Sequence, residues 1–392
     1  MAPEHDDVIS KIGDLAAGAG LRRVHMLSWR DLEDVEAGGS EVHAAELAKH
    51  WARAGVEVTW RTSHASGHAT EVRRDGYRVI RRAGRYLVFP RAVASEVLGR
   101  HGPSDGLLEI WNGMPFFSPL WYRGPRAVML HHVHAEMWQM VLGDDNPTLA
   151  WVGDTIERRL APPLYRRSRI VTPSESARDE IVSMLRIPRE RIDVVHNGIG
   201  RAFSPGGEKT AHPSIVAVGR LVPVKRHDVL IRAAARARAQ VPDLTLSIVG
   251  EGYERERLEA VIDELGAEEW VELTGWLPAD DLIDRYRSAW VAASASAREG
   301  WGLSLTEAAA CGTPAVATRI AGHADAVWDG RSGLLTDPTV DALADGLARA
   351  LSDGDLRDRL RAGALERARD LSWEATALGV MRVLAGEATR RR

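Results

Sequence analysis

The 392-residue sequence contains a single cysteine, Cys311, so no disulfide forms within the chain and a reducing compartment is the expectation. There is no run of 18 or more apolar residues, which excludes a helix able to cross a bilayer. The N-terminal stretch MAPEHDDVISKIGD has neither the basic region nor the apolar region of a secretory leader, so the expected location is cytoplasmic. The net charge is only −4, which gives no general attraction to nucleic acid or anionic lipid, and nucleic acid is not expected as a partner. Lysine is scarce, at positions 11, 49, 209 and 225 only. Against that arginine-rich background Lys225 stands out, whereas Cys311, at the end of an apolar segment, is expected to pack.

What is present is a soluble-enzyme composition, 45% hydrophobic and 27% charged, on a chain longer than one core usually organises, so two domains of similar size are expected. Short apolar runs alternate with longer helical patterns throughout, the signature of parallel sheets with crossover helices and an α/β fold. In the first half strands are expected at Val24–Ser28, Val56–Arg61, Tyr77–Arg81, Leu107–Trp111, Ala127–Leu130, Ile170–Thr172 and Ile192–His196. The second half repeats the scheme at Ser214–Gly219, Thr245–Gly250, Trp270–Gly275, Trp290–Ser294, Ala315–Thr318 and Gly333–Leu335. The glycines, prolines and polar residues of Asn197–Pro213 read as a linker, which sets the domains at 1–200 and 201–371, with a last helix over 372–392. One stretch, Leu149–Arg167, mixes apolar residues with Arg158, Arg159, Arg166 and Arg167. It reads either as a solvated surface helix or as an amphipathic segment in peripheral contact with the inner face of a membrane.

Ligands of open parallel sheets bind beyond the carboxyl ends of the strands, and four groups of residues lie there. Gly38-Gly39-Ser40 precede a helix whose N-terminus suits a phosphate, or form an ordinary strand-to-helix turn. His131-His132-Val133-His134 follow a strand; with no cysteine or carboxylate cluster to complete a metal site, hydrogen bonding to a sugar or phosphate oxygen is the better use of such imidazoles. Arg220 and Lys225 flank a proline-containing turn and are able to clamp two phosphates, a fork from one side and a point charge from the other; the plain alternative is two surface cations. Finally, Glu299 and Glu307 bracket Gly300, Trp301, Gly302 and Leu303 in REGWGLSLTEAAACGTPAVAT. Glu307 also completes a capping box with Ser304, while Glu299 is either a solvated loop carboxylate or a group that grips hydroxyls opposite the helix amides. Cations for a diphosphate and acids for hydroxyls together spell a nucleotide-sugar.

With these residues the sequence resembles the retaining glycosyltransferases of family GT4, bacterial type, over nearly its whole length. The paired glutamates in EGWGLSLTEAAACGTPAVAT are the most specific element, supported by VGRLVPVKRHDVLIRA, TPSESARDEI, VVHNGI, SIVGEGYERERLE and VELTGWLP. The resemblance implies the GT-B fold, two Rossmann-like domains facing across a cleft, with the last helix crossing back to the first domain and closure bringing His131 toward Glu299. It implies that Arg220 and Lys225 bind the donor diphosphate, that Glu299 holds donor-sugar hydroxyls with the amides of Trp301, Gly302 and Leu303, and that Glu307 binds the ribose. Gly39 and Ser40 approach the phosphates, Gly250, Trp276 and Leu277 lie near the base, and His131 sits beside the reacting sugar. On the acceptor side, Trp111 and Asn112 precede the VMLHHVH segment that carries His132 and His134, followed by Trp138; Trp29, Trp111 and Trp138 either stack on a sugar or pack in the core. One segment departs from the family, with Ala321-Gly322-His323-Ala324-Asp325 in place of the usual GG-x-PE.

The implied activity is transfer of a hexosyl group from a nucleoside-diphosphate sugar, a UDP-sugar first and a GDP-sugar next, to an acceptor hydroxyl with retention. No cofactor and no metal are expected, since Arg220 and Lys225 supply the charge that a leaving diphosphate needs. Two other classes fit less well: a nucleotide-sugar-binding protein without catalysis, and another enzyme of the same fold, an epimerase or a phosphorylase.

Overall fold

The computed structural model describes residues 2–142 and 146–391; Met1 of the N-terminal stretch and Arg392 of the arginine tail lie outside them. The chain divides into two compact units, 1–198 with 373–392, and 199–372.

The first unit is built on an eight-stranded sheet. Its strands are β1 Arg23–Leu27, β2 Glu57–Thr62, β3 Glu71–Arg74, β4 Tyr77–Arg81, β5 Gly106–Ile110, β6 Arg126–Met129, β7 Arg169–Thr172 and β8 Ile192–Val194, in the order β3-β4-β2-β1-β5-β6-β7-β8. All neighbours are parallel except β3 and β4. Helices on both faces explain why strands such as β5 are buried along their whole length, its Glu109 included. The strand β3 was not expected, because its residues, EVRR, alternate exposed and half-buried at a sheet edge. Its signal is the Asp75-Gly76 pair, both with positive φ (47° and 89°), a two-residue hairpin turn that sets Arg74 opposite Tyr77.

Two helices of this unit come from the ends of the chain. Ala2–Ala19 was not expected from the sequence, although Val8, Ile9, Ile12, Leu15, Ala16 and Ala19 recur at helical spacing; it buries Ile12 and Ala16 and packs along Trp373–Arg391. The latter buries Val380, Met381 and Leu384, each worth about 1.5–3 kcal/mol of apolar transfer. Hydrogen bonds pin it: Trp51 Nε1 donates to the Ala377 carbonyl at 3.0 Å, and Thr376 Oγ1 to the His196 carbonyl at 2.8 Å.

The second unit carries a six-stranded parallel sheet, β9 Ser214–Val218, β10 Thr245–Val249, β11 Val271–Gly275, β12 Val291–Ser294, β13 Ala315–Thr318 and β14 Gly333–Thr336, in the order β11-β10-β9-β12-β13-β14. Most of Asn197–Pro213, read above as a linker, is part of this unit. Arg287 donates to Ser204 from Nε and Nη2 (2.8 and 3.0 Å), Lys209 Nζ to the Ala289 carbonyl and Thr313 Oγ1 (2.6 and 2.7 Å), and Trp290 Nε1 to the Thr210 carbonyl (2.8 Å). A polar, glycine-rich composition does not reveal that such a segment is tied down by side chains far along the chain. Lys209 is held in this way with its ammonium lowered to about 8 by burial.

In each sheet the chain order reverses beside the first strand, between β1 and β5 and between β9 and β12. Such a reversal leaves a crevice at the carboxyl ends of the two strands, where α/β sheets take their ligands. The loops after β1 and β5, and after β9 and β12, are therefore the places where a site is built.

Candidate active site

In the second unit the loop after β9 holds Gly219 to Lys225 and the loop after β12 holds Ala295 to Gly302. β9 and β12 are hydrogen-bonded neighbours, which brings together Lys225 and Glu299, 74 residues apart in sequence. Lys225, in a short 3-10 turn opened by Pro223, forms an ion pair with Glu299, and Ser296 Oγ donates to the same carboxylate oxygen at 3.0 Å. Both charged side chains are about one-fifth exposed, 20% and 19%. Glu299 is thus no solvated loop carboxylate. Burial alone would raise its carboxyl, but the Lys225 ammonium, the neighbouring His323 and the hydrogen bonds from Lys225 and Ser296 outweigh it, and the group is held below its usual range. Arg220 is half-buried on the same turn as Lys225.

The turn is fixed from behind by Gly250. Its φ is 145°, its N–H donates to the Gly275 carbonyl at 2.9 Å, and a Cβ there would stand 2.1 Å from the Gly219 carbonyl oxygen. Only glycine fits, so Gly250 shapes the loop that carries Arg220. Leu277 is half-buried against the cluster of Val249 and Ala308, while Trp276 is 74% exposed.

The helix after Glu299 spans Leu303–Ala310 and starts at Gly302, whose φ of 119° no L-residue adopts readily. No side chain caps it, so the Ser304–Glu307 capping box is not formed. Glu307 instead accepts a hydrogen bond from the buried hydroxyl of Tyr286, Oη to Oε2 at 3.1 Å. Burial pushes the Glu307 carboxyl up to about 7, with the Tyr286 contact acting in the other direction. The two glutamates therefore have opposite environments, one held ionised and one poised near neutrality. The Trp301 side chain is 2% exposed, with the Arg367 guanidinium 5.2 Å from its ring, so any ligand contact falls to its backbone. The atypical segment after Thr318 packs onto this loop: Gly322 N–H donates to the Glu299 carbonyl at 3.2 Å, and buried His323 donates Nδ1–H to the Thr318 carbonyl at 2.9 Å.

A cavity of about 390 Å³ lies at the opposite end of this sheet, beside Ser214, Thr245, Trp270 and Arg285. It holds none of these residues, and strand-end chemistry rather than cavity size locates the site.

In the first unit Gly38 begins the helix Gly39–Arg53. Ser40 is not its cap: Gly38 N–H and Ser40 Oγ both donate to Glu41 Oε2, at 2.8 and 2.9 Å, and Asn112 Nδ2 donates to Ser40 Oγ at 3.1 Å. Glu41, 3% exposed and 3.6 Å from Arg30 Nε, was not anticipated and ties the loop after β1 to the loop after β5. That second loop is clamped by Glu109, which is fully buried and accepts from Phe116 N and Tyr165 Oη, both at 2.6 Å. Trp111 is 1% exposed, packs on Tyr165 and donates Nε1–H to the Gly113 carbonyl at 2.9 Å. Of the two readings open for Trp111, its side chain takes the second and packs in the core.

The histidines sort into two pairs. His131 Nε2 lies 3.1 Å from His43 Nδ1, while His132 stacks on His134 at 4.9 Å. Among the described residues, no group of three or more histidine, cysteine or acidic side chains is placed to hold a metal ion. Glu157, fully buried on the wide turn Ile156–Leu160, accepts from His134 N (2.9 Å), Ala135 N (3.2 Å) and Trp138 Nε1 (2.9 Å). Trp138, 9% exposed, is thereby packed as well. Glu157 was hidden in the arginine-rich stretch 149–167, where Ala150, Gly153 and Tyr165 also face inward and Trp151, Leu160, Arg158 and Arg167 face solvent.

Comparison with known proteins bears on this geometry. Residues 37–202 match the family described as Glycosyltransferase Family 4, and residues 201–367 match Glycosyl transferases group 1. A D-inositol 3-phosphate glycosyltransferase of Acidothermus cellulolyticus is 30% identical, in an alignment covering 100% of this chain and 96% of the relative. The chain belongs to glycosyltransferase family 4. Its structural neighbours include sucrose-phosphate synthase from Thermosynechococcus elongatus (20% identical, TM-score 0.78, covering 94% of this chain and 98% of the other). HepE from Anabaena, in complex with UDP and glucose, is a second (16% identical, TM-score 0.70, 95% and 100%). The fold is GT-B, and the protein is a glycosyltransferase that uses nucleotide-sugar donors. In this family 4 enzyme Arg220, Lys225, Glu299 and Glu307 share one strand-end pole of the second sheet. Ser40, Asn112 and His131 share the corresponding pole of the first. No helix among the described residues is long and apolar enough to cross a membrane.

Proposed function

We propose that this family 4 enzyme transfers a hexosyl group from a nucleoside-diphosphate sugar to an acceptor hydroxyl with retention of anomeric configuration and without a metal, using a UDP-sugar before a GDP-sugar. The observation that carries the reading is the meeting of Lys225 and Glu299 at the reversal of the second sheet, with Glu307 one helical segment further on. Lys225 and Arg220 bind the diphosphate and stabilise the charge it gathers as the glycosidic bond breaks. Glu299 and the amides of residues 301–303 hold the donor sugar, Glu307 holds the ribose, and Gly250, Trp276 and Leu277 border the base. Gly39 and Ser40 approach the phosphates, and His131 lies beside the sugar. Asn112 and His132, with His134, border the acceptor, which attacks on the face that the diphosphate leaves; catalysis is positioning and electrostatics. The enzyme works in the cytoplasm, where exposed Trp151, Leu160 and the arginines beside them form a solvated surface, the one that a peripheral contact with the inner face of a membrane would use.

The test is nucleotide release from UDP-, GDP-, ADP- and TDP-sugars in the presence of a chelator, with and without acceptor alcohols, among them the inositol 3-phosphate named for the relative. Release from one donor, stimulated by an acceptor and yielding the retained anomer, is expected; release that requires a divalent ion, or inversion, would sink the mechanism.

A further inference from the structure

His43 is a polar residue on the buried face of a helix, 1% exposed among Ala44, Leu47 and Trp51. Its ring meets His131 edge to face, with centroids 5.0 Å apart, and packs on Trp373 at 5.4 Å. The Nδ1 of His43 and the Nε2 of His131 are 3.1 Å apart. Both rings are held neutral: burial drives His43 well below its ordinary value, with His131 adding to the effect, and lowers His131 to about 4, with His134 adding. Two neutral imidazoles share one hydrogen in such a bond, so one ring must donate and the other accept.

The surroundings decide which. His43 Nε2 and Asn197 Oδ1 are both buried without a full hydrogen-bond partner, and Asn197 is the polar neighbour that works against the lowering of His43. That arrangement keeps the His43 proton on Nε2 and leaves Nδ1 as a lone pair, to which His131 Nε2–H donates. His131 Nδ1 is buried and has no partner in the protein. The reverse tautomer would bury a His131 Nδ1–H with no acceptor and leave Asn197 Oδ1 without a donor as well, whereas a proton on His43 Nε2 has that oxygen as its neighbour. We propose that His43 is a positioning residue, which holds the His131 ring and fixes its proton on Nε2, so that His131 Nδ1 serves a hydroxyl-bearing substrate as a hydrogen-bond acceptor and not as a donor.

The inference rests on the placement of His131 beside the donor sugar, and the experiment separates the two. Ring-nitrogen NMR of the histidine-labelled protein should show His131 protonated on Nε2 and bare on Nδ1. His43→Phe should shift that tautomer and lower kcat on the order of tenfold or more, with donor KM little changed. His43→Asn, whose carboxamide oxygen can replace Nδ1 as acceptor, should restore the tautomer and most of the kcat. An unchanged His131 tautomer in folded His43→Phe, or no better recovery in His43→Asn, overturns the proposal. If His43→Phe does not fold, the tautomer in His43→Asn decides: Nε2 protonated supports it, Nδ1 protonated overturns it. Should His131→Ala keep wild-type turnover, the placement of His131 is wrong, and the tautomer data still judge the role of His43 on their own.

Discussion

The Lys225 ammonium is engaged by Glu299, so a diphosphate has to compete for it. The pair is about one-fifth exposed on each side, near the upper end of what surface ion pairs contribute, about 1 kcal/mol. Glu299→Gln keeps an acceptor for Ser296 and Lys225 but removes the competing charge, so UDP alone should bind roughly fivefold more tightly to this variant, the equivalent of about 1 kcal/mol. UDP carries no hexose, so the contacts that Glu299 makes with the donor sugar do not enter. Turnover with the intact donor should fall on the order of a hundredfold, because the charged acceptor for the sugar hydroxyls is gone. Lys225→Met should move binding the other way, weakening UDP by roughly ten- to hundredfold through the loss of one charge-assisted contact. Calorimetric titration of UDP into the wild type, both single variants and the double variant measures the coupling directly. If Glu299→Gln weakens UDP as Lys225→Met does, Glu299 is no competitor for Lys225 and the assignment of the two groups is wrong; thermal melts confirm that each variant is folded.

Three further outcomes follow from buried carboxylates. Glu307 titrates at about 7 when folded and near 4.5 when exposed, so the folded chain keeps a proton that the unfolded chain loses, and stability should fall as pH rises through that window. Allowing for its partial exposure, the loss is about 1–2 kcal/mol; Glu307→Gln should abolish it in denaturant unfolding at pH 5 and 8, and an unchanged slope would refute the burial argument. Glu96 has the opposite sign. Burial would raise its carboxyl, but His101 and His25, at 2.7 and 2.8 Å, bring it down to about 2. Its contribution is full above pH 4.5 and is lost as pH falls toward 2, so Glu96→Gln should melt earlier at pH 7 and lose less between pH 5 and 3; parallel melting curves would count against it. Glu157→Ala strands three donors at His134, Ala135 and Trp138 and should cost roughly 3 kcal/mol in denaturant unfolding, whereas a loss under 1 kcal/mol would mean that water replaces the carboxylate.

Much of this architecture is legible because the strands are buried on both faces, so β9 or β13 reads as an apolar run bounded by turn residues wherever it is met. The edge strand β3 escapes that rule: half-solvated and arginine-rich, it is marked only by the Asp75-Gly76 turn. The site is legible along the chain but not across it. Glu299 and Glu307 announce themselves by their spacing around Gly302, yet the partner of Glu299 is set by the adjacency of β9 and β12, a fact of sheet order that no local pattern encodes. Aromatic residues fail for a different reason, since Trp111 has the same side chain whether it stacks on a sugar or fills a core, and only its 1% exposure decides. His43, Glu109 and Glu157 share one signal, a polar residue where the pattern of burial calls for an apolar one. Each is retained at a cost in desolvation, and each acts on a strand-end loop: Glu109 on the Trp111–Ser118 turn, Glu157 on the His134–Trp138 turn, His43 on His131. In a fold whose chemistry lies beyond the strand ends, a buried polar residue one layer beneath those loops therefore marks the site as reliably as the residues exposed in it.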